Sequence, residues 1–550
     1  MASINDLPEE ILEYILCLVS PYSDLRSCRQ VCSRWYTCCQ GVVDKRKTRF
    51  FSALKLGCIE WYSPVYPKDA IPISRRFSHS TCVYESSMYV FGGCTSTNTT
   101  FNDLWHFDLG VHKWTRLLTT GTYPSPKAYA SMVTWNNFLV LFGGWTHPSL
   151  YPLHQQWVLF SELHVYDILG NRWTQLYYPG SPPPTAGHSA TVHGSVMVVF
   201  GGLQKQEGTF ASTNDVFCLD LVRQCWFKPI VSESMPNPRY GHSQIKLDDK
   251  HILIIAGCGG SNKLYNDIWL LTIPDNIYDR GSKWLWEYII VEESEHMPSQ
   301  MWYNPACKVG KSIVMLSTSG SGSASGGGSM SQLLVPGSVR RQPANVWVPT
   351  VQQPDVRHQE YPAERHHVEP DQNAQRGQFR LGAPPADPSE SSGDENEDAL
   401  QQGGGDGSGL RGRGRPRPSI RPNASSDRER RLQVLSRMKE RIQELSRQKG
   451  GTKSAAASSR SVPLRSTLMP HLLDISQIIS HRRAKWWPGN SSASIGIPPQ
   501  PLLLYSLVLG RGHLIMFGGI HQDPSGGQGQ ETVSNAVTFI SSPSNSYFVA

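Results

Sequence analysis

The chain has 550 residues, 39% hydrophobic and 18% charged, with 48 Gly, 39 Pro and 16 Trp. That length allows more than one folded unit, and the glycine and proline load argues against a mostly helical protein and for a turn-rich one with a disordered part. A net charge of +7 is modest for the length and does not mark a nucleic-acid binder. No apolar run approaches the roughly 20 residues that span a bilayer. Asp6, Glu9, Glu10 and Glu13 interrupt what would be a signal-peptide core. The expectation is a soluble protein of cytoplasm or nucleus, without a membrane partner. All 12 cysteines lie between Cys17 and Cys307, mostly inside apolar patterns, as buried thiols of a reducing compartment do. None forms a C-x-x-C pair, so no metal site is expected.

In chain order, residues 1–50 read as helical. Leu7, Ile11, Ile15 and Leu18 recur at helical spacing, with Leu12 and Leu16 widening the face. Asp6 is placed to cap this helix and Pro8 to occupy its first turn. Pro21 stops it, Ser23-Asp24 caps a short second helix, and Val31-Cys32-Ser33-Arg34-Trp35 opens a third. So broad an apolar stripe exceeds what a small bundle can hide, and such stripes usually take a partner.

Residues 59–316 read as dense short strands that repeat. An apolar strand runs into Gly-Gly at Gly92-Gly93, Gly143-Gly144, Gly201-Gly202 and Gly518-Gly519, with a variant at Ala256-Gly257. A His-Ser turn precedes the pair (His79, His188, His242), Asn-Asp follows it (Asp103, Asp215, Asp267), and a tryptophan strand closes each unit (Trp114, Trp173, Trp226, and Trp284 or Trp286). The spacing is near 50 residues, and the ordered set resembles the kelch repeat, one four-stranded blade of a β-propeller. The resemblance predicts the tryptophan between neighbouring blades. A fifth copy begins at Asn304 and breaks off after Leu316, its tryptophan strand arriving at Trp486-Trp487. A sixth, carrying Gly518-Gly519, lacks a tryptophan. The spare segment Ile59-Glu60-Trp61-Tyr62 would close the ring and leave no exposed edge.

Residues 317–483 contain three aromatics (Trp347, Tyr361, Phe379) and no cysteine, and are expected to be a disordered linker looped out of the fifth blade. Within them, Arg411–Pro418 resembles an AT-hook, but a single basic tract reads first as an import signal or a solvated stretch, so no nucleic-acid partner is expected. Arg431–Gln448 carries leucines at helical spacing. Residues 484–550 return to strand character and complete the fifth and sixth blades.

Leu7-Pro8-x-Glu10-Ile11-Leu12, Ile15, Leu25 and Val31-Cys32-x-x-Trp35 together resemble the F-box. The expected fold is therefore mainly β, a six-bladed kelch propeller preceded by a small α-helical F-box. This combination is similar to the substrate receptors of SCF (Skp–cullin–F-box) ubiquitin ligases. The resemblance implies that Leu7, Pro8, Ile11, Leu12 and Ile15 bind the Skp adaptor, which carries the cullin scaffold. It also implies that the propeller holds a protein substrate, and that the chain has no catalytic group and no cofactor. The substrate is expected on the loops between the Gly-Gly and Asn-Asp strands, which vary in length on a repeating scaffold. The longest carries Trp145, Tyr151 and Trp157. The alternative is a kelch scaffold not coupled to ubiquitination. A copper oxidase on the same fold would need a Tyr and His metal set and a secretory route, and neither can be assembled. Because His79, His188 and His242 recur at one place in separate blades, they read as a structural hydrogen-bonding position.

Overall fold

In the computed structural model, described residues run over 4–318, 467–522 and 532–543, apart from 69, 98, 148, 151–152, 155–156, 261–262, 278–281, 300 and 489–492. All belong to one of two compact units, residues 1–363 with 465–550. Six four-stranded antiparallel blades follow one another around an axis. The first runs from its inner to its outer strand as Ser80–Tyr84, Ser87–Phe91, Leu104–Asp108 and Lys113–Leu117. The sixth consists of Ser506–Leu509, His513–Phe517 and Val537–Ser541, and takes its outer strand, Glu60–Tyr62, from the other end of the chain, with Trp61 opposite Ile540.

Why the pattern makes blades is visible in the packing between them. In the first four blades the tryptophan of the outer strand lies against the phenylalanine that precedes Gly-Gly in the blade before it. The ring centroids are 4.9 Å apart for Trp114–Phe517, 5.6 Å for Trp173–Phe91, and 5.0 Å for both Trp226–Phe142 and Trp286–Phe200. Trp286 rather than Trp284 takes this place in the fourth blade. Trp486 fills the equivalent cluster of the fifth blade among aliphatic side chains, and Trp61 that of the sixth among aliphatic side chains with Phe50 and Tyr505. Outer edges are partly covered: Thr120–Gly121 pairs in parallel with Arg172–Trp173, and Ile290–Glu292 with Arg483–Lys485.

The fifth blade corrects the sequence reading. Its third strand is Leu468–Asp474, paired along Ser312–Thr318, and a one-turn helix follows at Ile478–His481. Both lie within residues 317–483, expected to be linker. The strand carries no aromatic, and averaging its composition with the polar run before it hid Leu468, Leu472 and Leu473, which are buried. The expected disorder, the AT-hook-like tract and the leucine-spaced stretch fall on residues outside the described ones.

Three helices precede the propeller: α1 (Glu9–Leu18), α2 (Asp24–Cys28) and α3 (Ser33–Leu56). Asp6 does not cap α1; it ends a 3-10 turn, and the helix starts after Pro8 with no side-chain cap. The helix α3 runs past the expected boundary at residue 50. Gly57 ends it in the left-handed conformation (φ 68°), with the Cys58 N–H donating to the Ala53 carbonyl. Phe50, Ala53 and Leu54 are buried with Trp61, Leu316, Leu468 and Leu514, so the last turns of α3 belong to the propeller core. No helix among the described residues is long and apolar enough to cross a membrane.

Candidate functional site

The first candidate surface is α1. Leu12 and Leu16 face inward with Leu25, Cys39 and Val42. Pro8, Ile11, Tyr14 and Leu18 face outward, Leu18 with 63% of its surface exposed, while Leu7 and Ile15 are half-buried. The expected adaptor set therefore divides. Leu7, Pro8, Ile11 and Ile15 lie on or beside an open apolar face, which Tyr14 and Leu18 extend. Leu12 is fully buried in the three-helix core and offers no surface. A stripe wider than about 100° serves two faces, and spacing alone did not divide it.

The second is the propeller end away from the helices. In an antiparallel blade the first and third connections emerge at one end and the second at the other. The helices sit at the first end. Arg26 pairs with Glu85, Ser23 abuts Gly110, Phe51 abuts Gly310, and Tyr22 is gripped by the Gly510–Gly512 turn. Consequently the variable loops that follow Gly-Gly open on the opposite end. The ends of the long insertion, Thr318 and Leu468, are paired there as the last rung of their ladder.

A ring of backbone surrounds the axis at this end. The N–H of Ser78 donates to Leu504, Tyr129 to Ser78, Gly187 to Tyr129, Gly241 to Gly187 and Tyr303 to Gly241, at 2.7–3.0 Å. All six residues have φ between 52° and 68°. Four of them are not glycine, so the ring holds them in a region that costs about 1–3 kcal/mol each. Together with His79, His188, His242, Ser243 and Tyr505, they line a cavity of about 240 Å³.

The histidines are structural. His79 bonds Ser506 at 2.9 Å, His188 bonds Ser131 at 2.9 Å, and His242 bonds Ser189 at 2.5 Å, each reaching the inner strand of the preceding blade. Burial holds all three neutral, lowering His79 to about 3 and His188 to about 4.

The loop aromatics differ from expectation. Trp145 is completely buried, edge-on to Tyr129 (4.8 Å) and Trp157 (5.0 Å), and so is core rather than an exposed anchor. Its strand, Trp145–Thr146, folds back against Val158–Leu159, which is why a loop too long for a turn still buries its first residue. Trp157 is half-buried at the rim, and Tyr151 lies outside the described residues.

Sequence reasoning missed the ion pairs behind the Asn-Asp marker. Arg76, fully buried, makes a two-pronged contact with Asp103 (2.8 and 3.0 Å) and donates to the Gly92 carbonyl. Arg239 does the same with Asp267 (2.7 and 2.9 Å) and the Ala256 carbonyl. Burial would raise the Asp103 carboxyl, but the guanidinium outweighs it and holds the group below its ordinary range. In the second blade Lys127 and Glu162 take these places, whereas Asp215 pairs with Lys228 at the surface. The signal was available: Arg76 and Arg239 each stand three residues before a repeat histidine.

Comparison with known proteins agrees with both halves. Residues 4–44 match the F-box-like family model, and residues 76–284 match the model described as FBX42, beta-propeller domain. Kelch domain-containing protein 3 of Homo sapiens is 29% identical over 202 residues, 35% of this chain and 50% of that protein. Tip elongation aberrant protein 1 of Schizosaccharomyces pombe is 28% identical over 238 residues, 42% of this chain and 20% of that protein. The chain thus spans half or less of these curated relatives. A solved structure described as "Structure of YjhT" aligns at 18% identity with a TM-score of 0.36, over 47% of this chain and 76% of that one. An F-box-like domain joined to a six-bladed, kelch-type propeller is what sequence, structure and comparison have in common.

Proposed function

We propose that this chain is the substrate-recognition subunit of an SCF-type ubiquitin ligase, a non-catalytic adaptor in which α1 binds Skp and the propeller binds the protein to be ubiquitinated. Within that group the arrangement resembles F-box only protein 42. The observation that carries the reading is an F-box-like bundle whose apolar face on α1 is uncovered by any described residue, joined by one continuous helix to a propeller whose variable-loop end carries none of the described helices. Leu7, Pro8, Ile11 and Ile15 are the proposed adaptor contacts, and Skp in turn brings the cullin. Trp157, half-buried in the variable loop of the second blade, and Tyr151, which lies outside the described residues, are the candidates for the substrate side. On this reading the chain acts by holding its target close to the conjugating enzyme, raising its effective concentration rather than touching the reacting atoms.

Replacing Leu7 and Ile11 together by Ala tests it. Co-purification with Skp and cullin should be lost while the thermal transition of the propeller is unchanged, because neither side chain packs in the propeller core. Normal recovery of both partners by the double variant would exclude this use of α1 and leave the uncoupled kelch scaffold as the reading.

A further inference from the structure

Three blades fill one internal place with a cation laid over a ring. Arg76 lies over Phe101 (4.4 Å), Lys127 over Phe160 (4.5 Å) and Arg239 over Tyr265 (4.4 Å). Each cation also meets a carboxylate of its own blade, Asp103, Glu162 or Asp267. The sixth blade keeps the backbone of this place and changes its side chains. In the first blade the Gly92 N–H donates to the Asp103 carbonyl and the Phe101 N–H to Gly93. In the sixth the Gly518 N–H donates to the Ala536 carbonyl and the Ser534 N–H to Gly519. Arg76 and Leu502 each stand two residues before a member of the axial ring, Ser78 or Leu504. Thr538 is opposite Met516 as Trp105 is opposite Val90. Leu502, Ser534, Ala536 and Thr538 therefore stand where Arg76, Phe101, Asp103 and Trp105 do, and all four are smaller.

The result is a cleft of about 570 Å³ lined by those four residues, with Trp61, Tyr62, Met516, Pro498 and Pro499 among the rest. Folded interiors are otherwise close-packed, and pockets that hold ligands run to about 300–1,000 Å³. Tyr62 is stacked on Phe539 at 5.1 Å, so its ring is held in place. None of the described lining residues carries a carboxylate, an ammonium or a guanidinium group. The Glu60 carboxylate acts on Tyr62 but has an interaction of its own. With Ala536 in the place of Asp103, a charged guest would be desolvated without a partner in the cleft. Phe101, Phe160 and Tyr265 show what the repeat packs here, and Ser534 supplies no such ring. We propose that this cleft takes an uncharged aromatic side chain from an extended segment of a partner protein. It lies beside Gly518, at the propeller end that carries the variable loops, and aromatic anchors seated in pockets are the usual energetic centres of interfaces. The inference does not depend on what α1 binds.

The test is titration of the full chain with acetyl-Gly-Trp-Gly-amide, acetyl-Gly-Arg-Gly-amide and acetyl-Gly-Glu-Gly-amide, followed by saturation-transfer NMR on the peptide. The tryptophan peptide should bind saturably and about tenfold or more tighter than the other two. Ser534→Phe supplies the missing ring, and Ala536→Leu puts an aliphatic group at an exposed position of the cleft. Each should weaken the tryptophan peptide about tenfold while the thermal midpoint holds or rises. Ser534 Oγ accepts the Ala536 N–H at 3.1 Å, so if Ser534→Phe unfolds early, Ala536→Leu decides. No saturable binding, equal affinity for the three peptides, or undiminished affinity in Ala536→Leu overturns the proposal. Self-association in sedimentation that Ala536→Leu abolishes would give the cleft to a second copy and overturn it as well.

Discussion

Asp103 and Asp267 show how much one carboxylate can carry in this fold. Each neutralises an arginine that is fully buried and also bonded to the carbonyl of a strand-ending turn. Removing one member of such a pair strands a charge in a low-dielectric interior, so Asp103→Ala should lose about 3–5 kcal/mol in denaturant unfolding. Asp215→Ala, at a repeat-equivalent position but paired at the surface, should lose about 1 kcal/mol or less. The Gly-Gly positions give a second contrast. Gly143 has φ 68°, and a Cβ there would meet the Thr185 carbonyl oxygen at 2.5 Å and His188 Cε1 at 2.6 Å. Ala256 holds the matching place at φ 57° in the fourth blade, where the next blade offers Asn304 instead of histidine. Gly143→Ala should therefore destabilise by about 1–3 kcal/mol or more. Ala256→Gly should change the same midpoint little or raise it. Equal losses at both would mean that neither the Thr185 carbonyl nor His188 sets the space at Gly143.

Among the elements, the fifth blade and α3 set the limits of what can be cut. All four strands of that blade are supplied by described residues, and the ends of the insertion form one rung, Thr318 opposite Leu468. Replacing residues 319–466 by a short Gly/Ser linker removes about four doublings of loop length, worth about 2 kcal/mol in closure entropy. The thermal midpoint should hold or rise by a few degrees. Extending the deletion through residue 483 takes the third strand with it and should abolish the cooperative transition. At the N-terminus, truncation to residue 50 cannot be a clean removal of the F-box, because Phe50, Ala53 and Leu54 are shared with the propeller core. A stable propeller fragment has to retain the last two turns of α3 as well as the Trp61 strand.

For the whole molecule, the buried histidines make stability depend on pH. Burial lowers His79 to about 3 and His188, His193 and His513 to about 4, far below the 6.5 of an unfolded chain. Between those values the unfolded state binds more protons than the native state. Their contribution is complete above pH 6.5 and is lost as pH falls toward 4, with a slope of order 1 kcal/mol per pH unit for each group. The depressed carboxyl of Asp103 acts in the same direction at lower pH. Thermal midpoints measured from pH 7.5 to 4.5 should fall steeply below 6.5. A midpoint level across that range would show that these imidazoles reach water in the native state.

By itself the sequence determined whatever repeats or has a period: the kelch blades, the tryptophan between blades, the strand around Trp61 that closes the ring, and the amphipathic α1. Those features follow from local backbone and side-chain requirements that each repeat states again, so the signal accumulates along the chain. Tertiary structure alone decided which side of a broad apolar stripe is core, burying Leu12 and exposing Ile11. It also decided that Trp145 folds inward and that Leu468–Asp474 belongs to a blade. Each of those outcomes depends on a partner distant in the chain or on a single unrepeated segment. Burial there is settled by what packs against a residue, and spacing carries no record of it.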